Sequence, residues 1–259
     1  SSIISDCSFV FSNSQTACSG LNIDSPSTVF ISNCVFKKNN NINGENTGCL
    51  FIHRETENME NIDINNISFD SCTGSTFNAI YVKGECHRIS TISNLNINSI
   101  QNTEVNTYIF GFDVPNANLS FTDCTFSNCK SNNKNGGGIG SRLHPMGKIS
   151  FNNCSFLDNY CNHNGGAFQY GGTDVQYLNK ALEFQNCNFT NNKSSQGGAL
   201  SFEITNTWEV INCVFEKNDA TNGRGGAIYV NTNLNDVFFG NSEIRSSSFI
   251  NNVASDQLG

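Results

Sequence analysis

The chain has 259 residues, with 14 Lys+Arg against 22 Asp+Glu and a net charge of −8. An acidic chain with no basic cluster excludes nucleic acid as a partner, which needs a basic stripe to neutralise phosphates, and also an anionic membrane surface. Charged residues make up 14%, against roughly a quarter in ordinary globular domains, and no apolar run reaches the roughly 18–20 residues of a membrane-spanning helix.

Read from its first residues, the chain repeats itself. An apolar residue two positions after a Cys-like slot recurs at Phe9, Phe36, Phe69, Ile97, Phe126, Phe156, Phe189, Phe215 and Phe249, at intervals of roughly 26–34 residues, a solenoid period. The repeats run from end to end, so residues 1–259 read as one domain. The chain opens inside a repeat (SSIISDCSF) and stops at FINNVASDQLG, where the next GGA falls due. The expectation is a segment of a longer repeat protein.

Within a repeat the pattern is two alternating apolar positions, Asn-Cys-x-Phe, an Asn-rich stretch, and Gly-Gly-Ala before a further alternating run. Leu182 and Phe184 share one strand face, and Cys187 and Phe189 share another, but the alternation breaks at Asn186. Three short strands per repeat with bends between them predict an all-β parallel β-helix solenoid of about nine coils, each of roughly 30 residues. At about 4.8 Å per coil the rod would be roughly 40 Å long.

The break is occupied in turn by Asp6, Asn33, Asn66, Asn94, Asp123, Asn153, Asn186, Asn212 and Ser246. Asn and Asp tolerate the left-handed backbone that a bend requires, and stacked in register their side chains can bond along the axis. These residues are predicted to form a ladder facing inward beside a column of Phe36, Phe126, Phe156, Phe189, Phe215 and Phe249. The GGA triplets led by Gly165, Gly197 and Gly225, with GGGI at Gly136–Ile139 as a variant, predict a tight corner where glycine permits positive φ. They match no phosphate-binding pattern.

FKKN (Phe36–Asn39), FLDN (Phe156–Asn159), FTNN (Phe189–Asn192), FEKN (Phe215–Asn218) and FINN (Phe249–Asn252), alternating with GGAF, GGAL and GGAI, resemble the tandem repeats of polymorphic outer-membrane proteins and related protist surface proteins. The likeness is clear over roughly Leu119–Gly259 and thinner before it. It implies a right-handed β-helix of the pectate-lyase type in a passenger or ectodomain segment, engaged in adhesion.

Twelve cysteines are distributed over two kinds of position. Cys7, Cys34, Cys124, Cys154, Cys187 and Cys213 share the inward slot after the bend. Ile67, Leu95 and Ser247 also take that slot, so small buried side chains account for most of it. Cys18, Cys49, Cys72, Cys86, Cys129 and Cys161 lie off the column, and Cys129 with Cys161 is the first expectation for a disulfide in an oxidising compartment.

No CxxC, HExxH, EF-hand or glycine-rich calcium nonapeptide is present, so no metal or other cofactor is expected. The fold implied by the resemblance also carries pectate lyases and polygalacturonases, but the NTD, GHG and RIK signatures are absent. Asp70, Asp113, Asp123, Asp158, Asp174 and Asp219 are scattered over different slots, and His53, His87, His144 and His163 sit in polar or turn sequence. No catalytic residue is assigned.

Binding is expected on the segments after the third strand (His53–Asn61, Ser141–Lys148, Gly171–Lys180 and Asn231–Glu243), where Tyr170, Tyr177, Trp208 and Tyr229 either stack on sugars or pack the wall. Sequons occur at Asn66, Asn118, Asn153, Asn188 and Asn192. With Asn66 and Asn153 expected inward, Asn118, Asn188 and Asn192 are left as glycan acceptors. The reading is of a non-catalytic segment at the cell surface or outside the cell, an adhesin, stalk or filament subunit. Its partners would be copies of itself or surface glycans and proteins. The alternative is a polysaccharide lyase or glycosidase.

Overall fold

The computed structural model describes residues 1–14, 19–24, 26–41, 49–54, 59–73, 77–84, 89–102, 108–114, 118–131, 138, 141–143, 147–170, 181–203, 207–221, 223–231 and 242–255. These form an all-β parallel β-helix. Every described strand pair is parallel, and partners lie about one repeat apart in sequence, as in Phe156↔Phe189↔Phe215↔Phe249. One wall is a 15-stranded sheet; the others are sheets of six, five, three and two strands.

A repeat contains four short strands where three were predicted. The best-formed one runs Leu182–Gln185, Asn188–Thr190, Lys193–Ser194 and Leu200–Glu203. The extra strand follows a second corner. Asp6, Asn33, Asn66, Asn94, Asp123, Asn153, Asn186, Asn212 and Ser246 all have φ between 50° and 56°, as the bend required. Five residues after each stands another left-handed residue: Phe11, Lys38, Ser71, Ser99, Asn128, Asp158, Asn191, Lys217 and Asn251, with φ between 52° and 56°. Both corners keep their backbone bonds to the next rung: Asn186 N–H donates to Ile211 O at 3.0 Å and Asn191 N–H to Glu216 O at 3.0 Å. The chain therefore turns sharply without losing a rung of the hydrogen-bond ladder.

The first-corner side chains do bond along the axis, but they face the other way from the prediction. All nine are exposed. Asn33 donates to Asp6 at 3.0 Å, Asn66 to Asn33 at 2.8 Å, and Asn212 to Asn186 at 2.6 Å, while Asn94 and Asn186 reach Asn65 and Asn152 instead, and Asn153 donates to Asp123. A left-handed residue between two strands directs its side chain outward, while Cys187 after it and Phe184 before it point in. Asn66 and Asn153 are consequently surface residues.

The buried ladder is built by the last letter of FxxN. Asn159, Asn192 and Asn218 are buried, and their amides run head to tail: Asn159 to Asn192 at 3.0 Å, Asn192 to Asn218 at 3.0 Å, and Asn218 to Asn252 at 2.9 Å. Each amide also donates back to the Phe carbonyl of the preceding rung, as Asn192 does to Phe156 O at 2.9 Å. Its oxygen in turn accepts the backbone N–H of the preceding rung's slot (Asn159 N–H to Asn192 at 3.2 Å). Donors and acceptors are thus satisfied inside an apolar core, where an orphan would cost about 1–3 kcal/mol. In the middle of the chain Cys72, Ile100 and Cys129 take this slot, and the two thiols offer weak donation to Phe36 O and Ile97 O at 3.5 and 3.8 Å.

Beside the ladder the phenyl rings stack with centroids 4.6–5.1 Å apart through Phe126, Phe156, Phe189, Phe215 and Phe249. Phe121, Phe151 and Phe184 make a parallel stack that meets the first edge-on, with Phe184 and Phe189 at 5.4 Å and 75°. Edge-to-face and offset stacking suit the ring quadrupole. At the GGA corner the two glycines have different reasons. Gly197 has φ +65°, and a β-carbon on Gly198 would lie 2.1 Å from Gly226 O.

Two substitutions test this frame. Asn192→Ala is expected to cost about 3 kcal/mol in urea unfolding, because it orphans the buried backbone N–H and side-chain amide of Asn159, both of which donate to the Asn192 oxygen, and Asn192→Cys should cost less, since Cys129 holds the same slot. Replacing Asn186 with Val should cost about 2 kcal/mol through backbone strain, whereas Lys217→Asn at the second corner should be neutral or stabilising by up to about 1 kcal/mol.

Candidate functional site

The outer face of the large sheet carries the chemistry available to the described residues. Its outward positions are set by counting from the first corner. Three residues before it stand Asp63, Thr91, Ser120, Ser150, Glu183, Glu209 and Glu243 in successive rungs, and the last three are in register as Glu183↔Glu209↔Glu243. Parallel strands bring such neighbours about 4.8 Å apart at the backbone. The row is neutralised at its two ends: Lys148 pairs with Glu183, and Arg245 Nε with Glu243 at 2.9 Å. Half-buried Glu209 lies between them. Stacked carboxylates repel, and flanking cations relieve that repulsion from both sides.

These glutamates were not among the acids singled out from sequence; the available signal was their constant offset before the corner. The aspartates that were singled out do not come together. Asp123 and Asp158 accept from Asn153 and Asn191 in the corner ladders. Asp70 pairs with Lys37 at 3.4 Å, and Asp219 with Lys193 at 3.1 Å. Asp113 lies on another sheet, and Asp174 lies outside the described residues. His53 stacks beneath Phe51 at 5.4 Å, the His163 carbonyl accepts from Ser195, and His87 and His144 lie outside the described residues. Among the described residues no group of three or more His, Cys, Asp or Glu is placed to hold a metal ion, and no helix is long and apolar enough to cross a membrane.

Trp208 packs on Phe202 with centroids 4.6 Å apart, so its ring serves the wall. Tyr229 is half-buried on the third wall, and Tyr177 lies outside the described residues. Most of the segments after the third strand also lie outside them. Among the sequons, Asn188 and Asn118 are exposed. Asn192 is not an acceptor in the folded chain: it is fully buried, and the nitrogen a glycan would modify is bound to Phe156 O and Asn218.

Ten cysteines are described, none of them drawn into a disulfide. Cys129 and Cys161, expected as a pair, occupy different slots. Cys161 is in register with Ser131, and the Cys129 N–H donates to Asn159, which marks Cys129 as the Asn-ladder position of its rung. Burial pushes Cys129 up to about 12 and Cys161 up to about 11. Cys18 and Cys86 lie outside the described residues.

No protein-family model matches the chain, and no curated protein or solved structure does so either.

The raised thiols have a consequence for alkaline stability. Below the ordinary thiol range, near 9, both folded and unfolded chains hold the protons, and stability is complete. As pH rises from about 9 toward 11–12, the unfolded chain releases protons that folded Cys129 and Cys161 retain, so stability falls. Urea midpoints measured from pH 8 to 11 should decline, and a Cys129→Val/Cys161→Val variant should decline less steeply.

Proposed function

We propose that this chain is a non-catalytic, right-handed β-helical segment of nine coils, part of a protein at the cell surface or outside the cell. It acts as an adhesin, stalk or filament element. The observation that carries this reading is that two rows of left-handed corners run unbroken along one axis through nine rungs, with stacked rings and buried amides beside them over much of that length. Such a structure is stiff lengthwise and offers long, repetitive faces for attachment. Its partners would be surface glycans or proteins, or copies of itself. The repeat letters, which resemble those of polymorphic outer-membrane proteins, agree with this role.

The in-register Glu183, Glu209 and Glu243 row favours a second reading, a polysaccharide lyase or glycosidase, because paired outward carboxylates on neighbouring rungs are the minimum that glycoside hydrolysis requires. One experiment separates the two. The purified chain is assayed on pectin-like, glucan and chitin substrates and for attachment to cells and glycan arrays. The structural reading expects attachment or filaments without turnover. Turnover that is lost in Glu209→Gln and Glu183→Gln would establish the enzyme instead.

A further inference from the structure

The slot after the first corner holds cysteines in two unbroken runs. Cys7 and Cys34 form the first, Ile67 and Leu95 interrupt, and Cys124, Cys154, Cys187 and Cys213 form the second, closed by Ser247. Register places each cysteine directly against the next: Ser155, Asn188, Val214 and Ser248 N–H groups bond in order to the carbonyls of Cys124, Cys154, Cys187 and Cys213 at 2.9 Å, and Val35 N–H bonds to Cys7 O at 2.9 Å. The thiols of the long run point into the core and are at most 1% exposed. Cys213 Sγ even accepts the Cys187 backbone N–H at 3.4 Å. In-register backbones about 4.8 Å apart lie inside the Cα range that a disulfide spans, and both side chains leave the same face.

We propose that these runs are sites of cross-rung disulfides, closed as Cys7–Cys34, Cys124–Cys154 and Cys187–Cys213. Parity selects the partners. Runs of two and four pair completely in this way, whereas a Cys154–Cys187 bond strands Cys124 and Cys213 with no neighbouring thiol. Each pair closes by thiol–disulfide exchange. With a small-molecule disulfide as oxidant, one thiolate of a pair displaces one thiol to form a mixed disulfide, and its neighbour in the column then displaces the second. Two protein thiols are oxidised, one external disulfide is reduced to two thiols, and a protein S–S bond replaces the external one. Because the column is dry once formed, closure takes place while the rungs are docking. The inference does not depend on the adhesive reading.

The test is to refold the reduced 259-residue chain in a buffer of reduced and oxidised glutathione, quench with acid, block free thiols in denaturant, digest without reduction and map linked peptides by mass spectrometry. The expected result is three linked pairs, Cys7–Cys34, Cys124–Cys154 and Cys187–Cys213. In Cys154→Ser the Cys124 link should vanish, the Cys187–Cys213 link should remain, and the intact mass should show one bond fewer. Full alkylation of the column in the folded wild-type chain, a Cys154–Cys187 link, or a scrambled set would overturn the proposal. The wild-type map decides even where the variant fails to fold.

Discussion

Everything in this fold depends on the two left-handed corners standing five residues apart. Repeat length drifts because the connections after the third wall vary, yet the distance from Asn186 to Asn191, or from Asp6 to Phe11, never changes. Between the corners only Cys187 and Phe189 can face inward, and Asn188 and Thr190 must face out. One inserted residue would turn the next phenyl ring to solvent and break the stack on both sides. The short span thus fixes the registers of the ring column, the thiol row and the buried amides together.

The core combines two kinds of force that normally compete. Ring stacking rewards burial but has no preferred sequence partner, whereas the Asn ladder is costly unless every amide finds its successor. Together they allow only in-register stacking: a rung displaced by one residue would lose ring contact and leave buried amides unbonded. The outer pairs add little by comparison. Lys37 with Asp70 and Lys193 with Asp219 are solvent-screened ion pairs between in-register neighbours.

How much of this was legible depended on whether a letter reports its backbone. The first corner was readable because its side chains are almost all Asn or Asp, the residues that tolerate positive φ. The second was not: Phe11, Lys38 and Lys217 are poor left-handed residues, each held there by a backbone N–H bond to the following rung. The direction of the first ladder was misjudged because abundance of Asn cannot distinguish an exposed row from a buried one. Asn192, the amide that is buried, reads in one dimension as a turn residue, and only its register with Asn159 and Asn218 reveals otherwise. The glutamate row was hidden by the same variable spacing, since Glu183, Glu209 and Glu243 align only after the corners do.

The middle of the chain departs from both ends. There Cys72, Ile100 and Cys129 replace three successive ladder amides, and Ile97 replaces a ring. Cooperativity in a linear array travels only through neighbour interfaces. The means of coupling therefore changes along the axis: the later coils are joined through buried amides, and the middle ones through long strands such as Asn61–Asp70 and Ile89–Asn98 paired in register. The same slot is accordingly restrictive in the later coils, where only an amide completes the chain of bonds, and permissive in the middle, where a thiol or an aliphatic side chain suffices.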